Sequence, residues 1–246
     1  MLAEPPPTQG DLNFVLFGFP VRIHPFFWLM TAILGARRES LKLIAIWIVA
    51  VLVSILVHEL GHAVAMQFYG MRPWITLYGM GGLTSSGPVA AAMAGRRLGR
   101  FGQIVISAAG PLAGFLLAAA LAGVIFAAGG GADFHLQDFG HMYDRPGHIE
   151  LSWLLSDMLF VCVFWGLVNL LPIYPLDGGQ ITQEVLLLAN PRDGVRQSLL
   201  LSMITAGLLA VVVAVQWREW YLAFFFGYFA YSNYMALQAY SGGRPW

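Results

Sequence analysis

The chain has 246 residues, of which 58% are hydrophobic and only 11% charged, and its mean hydropathy is +0.69. That is well below the roughly 25% charged residues of soluble globular domains, so the composition predicts a polytopic membrane protein. The 13 Lys plus Arg balance the 13 Asp plus Glu, which excludes the basic or acidic excess that would point to nucleic acid as a partner. The single cysteine, Cys162, excludes an internal disulfide and lies in an apolar run.

In chain order, MLAEPPPTQGDLNF is polar and proline-rich, without the basic and apolar regions of a cleaved signal peptide. A membrane span needs about 20 apolar residues, and about six stretches qualify. The first, near Pro25 to Ala36, is short. The second runs from Leu41 to Tyr69, the third from Phe101 to Ala128 and the fourth from Leu151 to Leu171, which leads into PIYPLDGGQ. The fifth and sixth are Ser198 to Val215 and Trp220 to Leu237. Between the second and third spans, YGMRPWITLYGMGGLTSS alternates and is punctuated by glycine, so it reads as short strands or a re-entrant hairpin. The expected fold is therefore an all-α polytopic membrane protein of about six transmembrane helices, with one small β-hairpin or re-entrant segment. The larger share of the 13 Lys and Arg residues falls on the side holding both termini, which places that side in the cytoplasm.

The second span carries VHELGHA, Val57 to Ala63. On a helix, residues four apart share a face, so His58 and His62 can present imidazoles to one ion while Glu59 lies beside them, the HExxH spacing of zinc hydrolases. Ionisable groups within a span are costly and default to function. A catalytic zinc site has three protein ligands and an open position, so a third ligand is needed. His24 precedes the first span; His135, His141, His148 and Asp157 fall on the opposite side in a six-span topology. Asp177 lies where the fourth span returns to the side on which the second ends, and topology selects it. Pro172 and Pro175 interrupt helical bonding there, and Gly178 and Gly179 permit a tight backbone path. Asn169 has two readings: a donor to the oxyanion formed in hydrolysis, or an interhelical hydrogen bond. Gly110 and Gly114 form GxxxG, read as a close helix contact.

His58-Glu59-Leu60-Gly61-His62 in a hydrophobic helix, followed by Asn169-Leu170-Leu171-Pro172-Ile173-Tyr174-Pro175-Leu176-Asp177-Gly178-Gly179, resembles the site-2 protease family of intramembrane zinc metalloproteases. VRIHPFF before the first span and SAAGPLAG in the third are similar to this family too, so the resemblance covers most of the chain. It implies one membrane domain over residues 1–246 with a three-helix catalytic core over about 41–179, and neither a PDZ nor a CBS module. It further implies a single zinc ion held by His58, His62 and Asp177, with Glu59 as general base and Asn169 near the scissile carbonyl. One departure stands out: many members carry an asparagine shortly after the Gly-Pro of the third span, where this chain has Gly114.

The implied activity is cleavage of transmembrane segments of other membrane proteins, within the lipid bilayer and in regulated intramembrane proteolysis. A prokaryotic cytoplasmic membrane is expected, with the active site nearer the cytoplasmic side. Segments containing Gly, Asn, Ser or Pro would unwind at least cost, and the stretch Ile75 to Ser86 offers a strand edge to an extended substrate. A metal transporter is the competing class, since intramembrane His and Asp also line ion pathways. Glu59 argues against it, because transport needs ligands but no general base. A third reading is a catalytically inert relative that binds membrane proteins without cutting them.

Overall fold

The computed structural model describes residues 4–36, 38, 40–87, 98–127 and 149–242. His135, His141 and His148 lie outside the described residues. The described residues divide into two compact units, one built from those within Glu4–Arg97 and Ala109–Leu167, the other from those within Leu98–Ala108 and Val168–Trp246.

The first unit opens with two short strands, β1 (Leu12–Leu16) and β2 (Phe19–Ile23). They pair antiparallel about a tight turn at Phe17 and Gly18, both with positive φ, the backbone that two-residue hairpins require. The strict alternation Phe19, Val21, Ile23 is buried, one face of a strand with period 2. Helix α1 (Pro25–Gly35) follows at once. Its cap is His24, whose Nδ1 accepts from the Phe26 amide at 3.2 Å, and Pro25 begins the helix, where a missing N–H costs nothing. The histidine considered at sequence level as a loose candidate is thus a helix cap. Helix α2 (Leu41–Phe68) runs 28 residues, capped by Ser40.

Strands β3 (Pro73–Tyr78) and β4 (Gly81–Ser86) form the hairpin expected after the second span. What the sequence did not disclose is that β3 also pairs in parallel with β2, giving a four-stranded sheet in the order β1-β2-β3-β4. The His24 amide extends that pairing by donating to the Leu77 carbonyl at 2.9 Å. A parallel pair needs a long crossover, and α1 and α2 provide it. The buried sheet face, Phe19, Val21, Ile23, Ile75 and Leu77, packs in one core with Phe27, Val51 and Ile55 of the two helices. Helix α3 (Arg100–Ala127) and helix α4 (Ile149–Asn169) share a second cluster in this unit, with Ala118, Ile125, Leu159 and Cys162 buried.

The second unit holds the start of α3, the end of α4, then α5 (Asp177–Ala189), α6 (Gly194–Val212) and α7 (Trp220–Gly242). A short π-helical stretch, Val213–Trp217, prolongs α6 and ends at Arg218 in the left-handed region. Leu199, Ala206, Val213, Phe226 and Phe229 are buried here.

Among the described residues, four helical segments are long and apolar enough to cross a membrane: Leu41–Phe68, Arg100–Ala127, Glu150–Asn169 and Gly194–Trp217. They coincide with the second to fifth expected spans. Helix α1, with 11 residues, is too short to cross the roughly 30 Å hydrocarbon core at 1.5 Å per residue. Helix α7 has the length, but Tyr, Ser, Asn and Gln side chains interrupt its apolar surface.

Candidate metal centre

Helix α2 turns three polar side chains inward two-thirds of the way along its length. His58, Glu59 and His62 are 4%, 5% and 7% exposed, in a helix whose neighbours are hydrocarbon. Their ligating atoms all lie within 4.8 Å of one another. The two imidazoles meet Nε2 to Nε2 at 3.3 Å. Two nitrogens bound to one tetrahedral zinc, each at about 2.0–2.1 Å, stand about 3.3–3.4 Å apart, so the histidine pair has the spacing that zinc requires.

The neighbouring helix is shaped around these rings. A Cβ at Gly110 of α3 would overlap the His62 imidazole, and one at Gly61 would overlap the Ala109 carbonyl. A Cβ at Gly114, one turn along, would lie 3.6 Å from the Cys162 carbonyl and 4.0 Å from His58 Nδ1. The GxxxG read as a close helix contact is one, and at Gly110 the group it admits is the His62 ring itself. Small residues at these positions let α3 close over the histidine face of α2.

The hairpin closes the other side. Thr84 of β4 donates its hydroxyl to Glu59 Oε2 at 2.7 Å, and the same oxygen lies 3.0 Å from the Glu59 carbonyl. A Cβ at Gly82 would overlap the Glu59 carboxylate, so the strand approaches that group as closely as only glycine allows. On the far side of Gly82, a Cβ at Gly81 would lie 2.9 Å from the Trp165 indole of α4. Thr84 and Gly82 escaped the sequence reading because nothing local links them to residue 59. The Gly81-Gly82 pair was the available signal for a close backbone approach.

Asn169 and Asp177 belong to the second unit, where they are each 8% exposed. Asp177 is the first residue of α5, where a carboxylate complements the helix dipole. Gly178 and Gly179 press against the carbonyls of Leu170, Leu171 and Ile173, with no room for a side chain. The double glycine of PLDGG thus lets the chain fold back tightly on the loop after α4.

Within the first unit, His58 and His62 fit zinc, with Glu59 alongside as a carboxylate that Thr84 restrains. A helix long and apolar enough to cross a membrane, bearing an HExxH face closed by a β-hairpin, defines a candidate metal centre of the kind found in membrane-embedded folds. Residues 46–213 match the family model for Peptidase family M50, and the chain belongs to that family. It is 27% identical over 176 residues to a zinc metalloprotease of Methanocaldococcus jannaschii, a match covering 70% of this chain and 44% of that protein. It thus spans less than half the length of that curated relative. A solved structure, the site-2 protease from the same organism, is similar in fold with a TM-score of 0.58 and 22% identity, covering 92% of this chain and 95% of the other.

Proposed function

We propose that this chain is a zinc endopeptidase that hydrolyses peptide bonds within or near transmembrane segments of membrane proteins. The observation that carries the reading is the buried histidine pair at 3.3 Å with the Glu59 carboxylate beside it. Membership of Peptidase family M50 supports it.

Asp177 is the third ligand in this reading, chosen by its place after the fourth span and by the likeness of NLLPIYPLDGG to the site-2 protease pattern. One zinc ion is held by His58, His62 and Asp177. When bound there it supplies a Lewis acid that makes water acidic near neutral pH and polarises a peptide carbonyl. Glu59 takes a proton from water and later delivers it to the departing amine. Thr84 keeps the Glu59 carboxylate in one orientation for both transfers. Asn169 donates its amide N–H to the oxyanion that develops on the scissile carbonyl.

The rest of the proposal concerns the setting. The chain acts as one membrane domain over 1–246 with its core over 41–179; α7 adds a fifth crossing to the four long apolar segments, and α1 rests within the membrane without crossing it. The site is nearer the cytoplasmic face of a prokaryotic cytoplasmic membrane. The substrate is a transmembrane segment, single-span in the simplest case, that unwinds locally within the bilayer and is released in regulated intramembrane proteolysis. Strand β4 supports a docking mode: it pairs only with β3 among the described strands, and its Thr84 touches Glu59. A substrate strand added at this edge brings its backbone to the general base.

The experiment compares purified wild type with Glu59→Gln, at measured and equal zinc content, on a panel of single-span substrates in detergent and in liposomes. Cleavage inside the span by wild type alone is the expected result. Equal zinc flux through liposomes by both proteins, without cleavage by either, would replace the protease with a transporter.

A further inference from the structure

The segment between α4 and α5, residues 170–176, is non-helical, contains two prolines, and leads into Asp177. Irregular backbone lacks the internal pairing of a helix, so each buried N–H and C=O there needs another partner. Part of the loop is self-sufficient: the Ile173 amide donates to the Leu171 carbonyl at 2.7 Å and the Leu176 amide to Ile173 at 2.8 Å. The central peptide groups are not. The Tyr174 amide donates to Ser202 Oγ of α6 at 3.0 Å, and the Tyr174 carbonyl accepts from Asn233 Nδ2 of α7 at 2.6 Å. The next carbonyl, Pro175, accepts from Gln180 Nε2 at 3.2 Å, and Ser107 at the start of α3 lies 3.4 Å from Gln180 Oε1.

Asn233 is the costliest of these side chains. It is 1% exposed, and its Nδ2 donates both to Tyr174 and to the Phe229 carbonyl at 2.8 Å. Two carbonyls facing one end of the amide fix its orientation, since only the NH2 can serve them. Its Oδ1 is then buried with no partner. A leucine would fill the same space without an orphaned acceptor, so packing alone gives no reason for an amide here.

We propose that Asn233, with Ser202 opposite, is a positioning residue for the third metal ligand: the two hold the Tyr174 peptide from both ends and thereby set Asp177, three residues on. This rests on Asp177 being a ligand. It gives the C-terminal helices a part in metal binding. Holding ligands from outside the coordination sphere is how proteins tune metal sites, and loss of such a partner costs about 10–100-fold in affinity or activity.

The test uses the full chain in detergent, with Asn233→Leu, Ser202→Ala, Ser202→Thr, Asp177→Ala and Val213→Ala. Val213 is buried at the start of the π-helical stretch that prolongs the helix of Ser202, about 16 Å away along the axis, and controls for general destabilisation. Three readouts apply: amide hydrogen exchange over 170–177 in metal-free protein, zinc affinity by chelator competition, and the visible spectrum of the Co2+-substituted form. Asn233→Leu and Ser202→Ala should speed exchange at residue 174, weaken zinc about 10-fold, and shift the cobalt spectrum toward that of Asp177→Ala. Ser202→Thr should restore all three, and Val213→Ala should lower thermal stability while moving none. Unchanged zinc affinity and spectrum in Asn233→Leu and Ser202→Ala, with both altered in Asp177→Ala, would overturn the proposal. An unaltered spectrum and affinity in Asp177→Ala would remove the ligand assignment itself, and the positioning role with it. Should Asn233→Leu not fold, the Ser202 pair decides alone.

Discussion

Thr84 Oγ1 lies 2.7 Å from Glu59 Oε2, joining the edge strand of the sheet to the carboxylate beside the two histidines. A hydroxyl bound to a carboxylate forms a charge-assisted hydrogen bond, worth about 1.5–3 kcal/mol. Replacing Thr84 with valine keeps the shape and removes the donor. Peptidase turnover should fall by roughly 10-fold or more, with zinc content unchanged because neither histidine is touched. Thr84→Ser should keep most of the activity. Loss of zinc in Thr84→Val would show that the hydroxyl supports the fold of the site and not the orientation of Glu59.

The two glycines of GxxxG should respond differently to the same methyl group. At Gly110 an added Cβ overlaps the His62 ring, whereas at Gly114 the nearest atom is the Cys162 carbonyl at 3.6 Å, an ordinary contact. Gly110→Ala should displace the imidazole, lower zinc affinity and destabilise the fold by about 1–3 kcal/mol. Gly114→Ala should retain zinc and stay within about 1 kcal/mol of wild type. Zinc titration and thermal unfolding of both variants check this, and equal zinc binding by the two would refute the packing argument.

These residues show where the sequence was readable. His58, Glu59 and His62 were legible because helical spacing alone brings them together, and α2 was legible because its apolar run is unbroken. The β3-β4 hairpin was visible in its alternation and glycines. Thr84 and Asn233 were not, since their partners are set by tertiary packing: Thr84 bonds a residue 25 positions away and Asn233 one 59 positions away. GxxxG announced a close approach but not what is approached. Strands β1 and β2 were missed because five-residue strands beside a proline-rich segment carry little pattern, and their pairing with β3 depends on a crossover through two helices.

A buried ion pair ties the α1-α2 connection to α4. Arg38 Nη2 meets Asp157 Oδ1 at 2.6 Å, with the Asp157 side chain 2% exposed. The guanidinium also lies over Trp47 and Trp153, at 4.9 and 5.5 Å from their ring centroids. Removing one member of such a pair strands the other charge, at a cost of about 3–5 kcal/mol. Arg38→Met should therefore destabilise by about 3 kcal/mol, while Arg38→Met with Asp157→Leu should recover much of that loss. Denaturation of the single and double variants measures the coupling. A double variant as unstable as the sum of the singles would mean that the charges do not act on each other.

The N-terminal segment is held to the sheet by carboxylates, which makes its attachment sensitive to acid. Glu4 accepts from Thr76 Oγ1 at 2.6 Å, from Trp74 Nε1 at 3.3 Å and from Arg22 at 2.8 Å. Partial burial pushes the Glu4 carboxyl upward, but these hydrogen bonds, Thr76 foremost, together with the Arg22 charge hold it below its ordinary value. Asp11 is lowered too, first by the Thr8 hydroxyl, then by the Thr8 amide, with Arg22 adding to the effect. A depressed carboxyl contributes stability that is present above its unfolded value and lost as pH falls through its folded value. The segment should therefore stay docked at neutral pH and release only below the usual carboxylate range. Thr76→Val removes the foremost of the bonds that lower Glu4, so its release should begin at higher pH. Limited proteolysis ahead of β1 across a pH series, read against intact α2 as internal standard, follows the release directly. An identical pH profile for wild type and Thr76→Val would show that the Thr76 bond does not hold the segment.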